Sequence, residues 1–138
     1  MEAQYPKLEN LLREGEQTIV EKAAVNLGNY RLKNYEMAKL SEIEWWLGAL
    51  FSALCDSIQQ KCLEPFLKYS EKLGRLRAEK GFDLKEVQIA YNLLEEHIWE
   101  VVLEKGDPKT RAEDLVQISE IVAAGKDKLT KWYYKEEK

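Results

Sequence analysis

The chain has 138 residues, a net charge of −4, 45% hydrophobic and 33% charged residues. That balance suits one domain with a real core and excludes intrinsic disorder. It also speaks against a general electrostatic grip on nucleic acid or anionic lipid, and no apolar run approaches the roughly 20 residues that span a bilayer.

The polar, acidic start MEAQYPKLEN is no secretory signal, so the expected location is the cytoplasm. Five helices and no strand are expected. Pro6 suits a first turn, and Leu8, Leu12, Gly15, Ile19 and Ala23 follow at helical spacing, giving a first helix over about 6–27. The segment GNYRLKNYEMAKL is a connector. Ser41 and Glu44 form a capping box that opens a second helix over 41–63. Its buried face carries Ile43, Trp46, Leu47, Leu50, Leu54 and Ile58.

Cys55 and Cys62 both fall on that helix, seven residues apart. The rise between them is about 10.5 Å, too far for a disulfide within one helix. Two isolated cysteines fit a reducing compartment and read as small apolar side chains.

Glu64-Pro65 stops the second helix and starts a third over 65–80, since proline tolerates a first turn but no interior position. Gly74 in its middle costs roughly 1 kcal/mol against alanine, which a close helix neighbour explains. Then comes a corner. Gly81 can take the left-handed conformation that ends a helix, and Phe82 folds back on the finished turn. Asp83 caps the fourth helix, 84–105, with Glu86 three residues on. Gly106 ends that helix, and Asp107-Pro108 serves as N-cap and first turn of the fifth, 109–134. Trp132, Tyr133 and Tyr134 close the bundle or lead into a following domain, and the tail KEEK is expected to fray. Short connections favour antiparallel neighbours, so the fold class is an all-α, single-domain bundle over 1–138.

Candidate sites are few. His97 is the sole histidine and lies at the flank of the apolar stripe of the fourth helix. It reads as a boundary histidine bonded to a neighbour or to water. The alternative is a small-molecule or haem sensor lined by Tyr91, His97 and Trp99. Trp46 points inward, so Trp45 points nearly the opposite way, beside the small residues Gly48, Ala49 and Ser52. Either the first helix or connector covers Trp45, or Trp45, Ala49 and Ser52 form a partner or self-association surface. Arg77, with Arg75 and Lys80, binds an anion or makes a structural ion pair or carbonyl contact near Gly81. Glu95, Glu96 and Glu100 read as a solvated face, because a di-metal bundle needs inward Glu-x-x-His repeats and position 94 is leucine. No catalytic constellation, metal site or cofactor is expected, so the chain does not read as an enzyme.

The order of elements around Arg77, Gly81, Phe82, Asp83 and Leu84 to Val102 resembles the N-terminal domain of RsbRD-type proteins, the RsbT co-antagonists of bacterial stress signalling. The resemblance implies a helical sensory or regulatory input domain, globin-like without haem. It implies a signalling partner such as a kinase or a STAS-type regulator. Such a domain typically precedes an output module, and a chain stopping at Lys138 is expected to be an excised input domain or a stand-alone relative. The expected function is non-enzymatic signalling through protein–protein association, with a homodimer and with neither nucleic acid nor membrane as partner.

Overall fold

Five helices carry the chain in a computed structural model that describes residues 4–136, side chains through Tyr134. They are α1 (Leu8–Asn29), α2 (Leu40–Gln60), α3 (Glu64–Glu79), α4 (Leu84–Lys105) and α5 (Arg111–Glu136). Among the described residues there is no strand. The expected fraying at 137–138 lies outside them.

Each helix buries one stripe against two neighbours. α1 packs on α2 and α4, α2 on α3, α3 on α5, and α5 on α4. The side-by-side order is therefore α1, α2, α3, α5, α4, closing back on α1. Leu12, Ile19, Phe51, Leu54, Ile98, Ile118 and Leu129 fill the centre with no solvent exposure. Burying side chains of this size contributes about 1.5–3 kcal/mol each against leaving them in water.

Several helix ends differ from the sequence expectation. Pro6 precedes α1 rather than entering it, and Lys7 occupies the N-cap position. Ser41 and Glu44 lie inside α2, which starts one residue before Ser41, so their capping box does not form. Asp107 closes a turn ahead of α5, its Oδ1 accepting Lys109 N–H at 2.9 Å. Thr110 then precedes the helix, and its hydroxyl donates to Asp114 Oδ2 at 3.0 Å. Gly106 ends α4 in extended backbone, φ −77°, without the left-handed turn.

The start of α3 is capped from a distance. Ser57 of α2 accepts Phe66 N–H on its Oγ at 3.0 Å, satisfying a helix-start donor that nothing local could reach.

Two glycines let α5 lie against α3. A Cβ on Gly74 would stand 3.1 Å from Leu129 Cδ1 and 3.2 Å from Trp132 Cδ1, so a close helix neighbour does lie against it. A Cβ on Gly125 would fall on the Phe66 ring and 2.8 Å from Ser70 Oγ. Gly48 differs: nothing lies within 4 Å of its Cβ position. In urea melts Gly125→Ala should lower stability by about 1–3 kcal/mol through overpacking. Gly48→Ala should raise it by up to about 1 kcal/mol through helix propensity.

Candidate functional site

The corner between α3 and α4 forms as its residues dictate. Gly81 has φ +80°. Phe82 N–H donates to Arg77 O at 3.0 Å and Gly81 N–H to Ala78 O at 3.1 Å, the paired closing bonds of a Schellman motif. Asp83 and Glu86 then make a reciprocal capping box, with Asp83 N–H on Glu86 Oε2 at 2.9 Å. The turn throws Phe82 inward, where it is buried.

Arg77 points into the same place and is only 4% exposed. The sequence left it an ion pair or a carbonyl contact as its ordinary role. Neither forms among the described residues. Its guanidinium carbon lies 4.2 Å from the Trp46 ring centroid, 4.7 Å from Phe82 and 6.0 Å from Tyr35. The three rings meet one another edge to face, Tyr35–Phe82 at 5.0 Å, Tyr35–Trp46 at 5.9 Å and Trp46–Phe82 at 6.4 Å. Ring faces attract a cation by about 2 kcal/mol where water is excluded. They offer no lone pair to an N–H, and Arg77 Nε is buried without an acceptor. Burial pushes the Tyr35 phenol up to about 12 against the pull of the Arg77 cation.

Glu86 faces the connector and does more than cap α4. Oε1 accepts Asn34 N–H at 2.9 Å, and Oε2 accepts Asn34 Nδ2 at 2.7 Å as well as Asp83 N–H. The carboxylate thus pins the connector that carries Tyr35. On the other side, Tyr133 donates its hydroxyl to Phe82 O at 2.9 Å, so the end of α5 is tied to the corner. Arg75 stacks over Trp132 at 5.2 Å.

His97 is 6% exposed, deeper than its flank position implied. Asn26 Nδ2 lies 2.6 Å from its Nε2, and Glu100 Oε2 lies 3.1 Å from its Nδ1. The tautomer that satisfies both donates from Nδ1 to Glu100 and accepts from Asn26 at Nε2. Both ring nitrogens are engaged. Tyr91 is buried toward α3, its hydroxyl donating to Ser70 Oγ at 2.8 Å. Trp99 lies at the surface. Tyr91 and His97 line different cavities, so this trio does not assemble into one pocket. The glutamates are not a uniform solvated face either. Glu100 holds His97, while Glu95 is half-buried and burial raises its pKa against the pull of Lys126.

Trp45 is 73% exposed, so neither α1 nor the connector covers it. It stands on a groove between α1 and α2 with Gln17, Val20, Gly48 and Ala49. Ser52, half-buried, lies outside that groove. Cys55 is buried, which pushes its thiol up to about 12, while Cys62 is exposed. Among the described residues no three His, Cys, Asp or Glu side chains are placed to hold a metal ion. No helix among them is long and apolar enough to cross a membrane.

The five-helix architecture and the corner from Arg77 to Glu86 define an all-α bundle domain. The model of the RsbT co-antagonist protein RsbRD N-terminal domain matches residues 38–132, and the chain belongs to that family. The match runs from the start of α2 almost to the end of α5 and takes in the whole corner. No curated protein and no solved structure matches the chain.

Glu86 gives the corner a pH dependence. Burial alone would raise its pKa, but the bonds from Asn34 and Asp83 outweigh burial and hold the carboxyl below its usual value. A depressed pKa in the folded state means the contribution is complete at neutral pH and is lost as pH falls below the ordinary carboxylate range. Acid melts should therefore show a steeper loss for the wild type than for Glu86→Gln below about pH 4. At neutral pH Glu86→Ala should cost about 1–3 kcal/mol by leaving the Asn34 and Asp83 donors unpaired.

Proposed function

We propose that this chain is a non-enzymatic signalling input domain that works by self-association through the α1–α2 face around Trp45. The observation that carries the reading is Trp45 itself: a large aromatic held in water on a well-packed helix, beside Ala49 and an uncovered Gly48. Tryptophan is enriched among the few residues that carry most of the energy of protein interfaces. Family membership supports the signalling role. The partner downstream would be a signalling protein such as a kinase or a STAS-type regulator, reached when association or its loss repacks the bundle. Ser52 would line the margin of the contact.

A haem or ligand pocket built on Tyr91, His97 and Trp99 has less support. His97 has no free ring nitrogen to give a metal, and the three side chains do not converge.

Light scattering on a sizing column, run from low to high micromolar, tests the dimer. The wild type should shift from monomer to dimer. Trp45→Glu should weaken association by about 30-fold, equivalent to a hot-spot loss of about 2 kcal/mol. Its helicity should be unchanged, because the side chain is outside the core. A wild type that stays monomeric throughout, or a Trp45→Glu variant that associates normally, rejects this surface.

A further inference from the structure

The groove that carries Trp45 has a charge of its own. Four carboxylates line it, Glu14, Glu16 and Glu21 from α1 and Glu44 from α2. Arg13 is the one cation in its walls, and Arg13 Nη2 lies 3.0 Å from Asp56 Oδ1, so that charge is answered within the fold. Four carboxylates against one guanidinium leave −3 on this small part of a chain whose net charge is −4. The groove is roomy, about 850 Å³. Trp45, Gly48 and Ala49 make its apolar part, and nothing lies within 4 Å of the Gly48 Cβ position. Glu14 and Glu21 stand seven residues apart on α1, two turns or about 10.5 Å along its axis.

We propose that this groove takes a basic amphipathic helix from a protein partner. Lysines or arginines two turns apart on such a helix match Glu14 and Glu21, and a further cation reaches Glu44 on the facing wall. An apolar stripe between them covers Trp45, and the small side chains at Gly48 and Ala49 let the incoming helix approach closely. The proposal rests on the Trp45 face being an interface, as argued above, and adds a partner better matched in charge than a second copy. A closed two-fold contact sets the same patch against itself, so the four carboxylates of one copy approach a second set of four. A basic helix meets the opposite sign and therefore displaces self-association. Nucleic acid, anionic lipid and acidic peptides meet like charge here.

The test uses the full chain and a synthetic helical peptide of about 18 residues, with leucines on one stripe and lysines on its flanks. Its controls are the same peptide with glutamate for lysine and a scramble of the same composition. Isothermal titration at about 50 mM salt should show saturable binding of the lysine peptide, and about 500 mM salt should weaken it roughly tenfold. Glu14→Gln, Glu21→Gln and Glu44→Gln combined should weaken it about tenfold at low salt with helicity unchanged. Trp45→Ala, an independent variant, should weaken it about 30-fold. In light scattering the lysine peptide should turn the dimer into a one-to-one complex. No saturable binding up to about 1 mM overturns the proposal. So does equal binding of either control peptide, or equal binding by the combined glutamine variant. A chain that stays monomeric yet binds the lysine peptide through Trp45 and the glutamates rejects self-association and upholds the basic helix. A dimer that Trp45→Glu breaks, but that the peptide neither binds nor dissociates, upholds self-association and rejects the basic helix.

Discussion

A single buried cation, ringed by aromatic faces and with no ion pair among the described residues, organises this bundle. Arg77 of α3 touches one ring from the connector, one from α2 and one from the corner before α4. Four chain segments meet on one guanidinium. Desolvating a charge in this way costs several kcal/mol. Ring faces, a long aliphatic stem and tight packing offset it only in part, since Nε stays unpaired. Everything near it is accordingly over-determined. Gly81 takes a left-handed turn to bring Phe82 in, Glu86 holds the connector so that Tyr35 reaches the cluster, and Tyr133 holds Phe82 from behind.

Several other buried polar groups are paired across helices. Ser57 caps α3, Ser70 accepts from Tyr91, and Asn26 meets His97. Each pair joins two helices and leaves little hydrogen-bonding capacity idle. Paired groups of this kind are worth about 1 kcal/mol each and fix which helix lies beside which. Against that background three buried donors go without an acceptor, Arg77 Nε, Arg111 Nε and Trp132 Nε1, and Trp45 stands out on the surface. A regulatory module needs a place where packing is incomplete, because a fully satisfied interior has no reason to change on meeting a ligand or a partner.

Much of the fold was legible because local chemistry and tertiary structure agree. The helical periodicity gave all five helices, Glu64-Pro65 marked the break between α2 and α3, and the Gly81-Phe82-Asp83-x-x-Glu86 string announced the corner in full. Helix starts were read less well. Ser41 and Glu44 have the right spacing for a cap, yet α2 begins at Leu40 with Lys39 at the N-cap position, which puts both residues inside the helix. The cap on Phe66 could not be read at all, since its acceptor, Ser57, lies nine residues back on another helix. The partners of Arg77 were hidden for the same reason. Tyr35, Trp46 and Phe82 are scattered through the chain, and only the folded bundle gathers them. Aromatic residues beside a buried arginine leave no spacing signature.

The bond from Tyr133 to Phe82 O turns α5 into a mechanical element. At 26 residues it is a rod about 39 Å long, pinned near one tip. Because α5 also lies along α3 and α4 and Arg111 at its start bonds Gly106 O, the corner is coupled through one continuous rod to the connection after α4, at the opposite end of that helix.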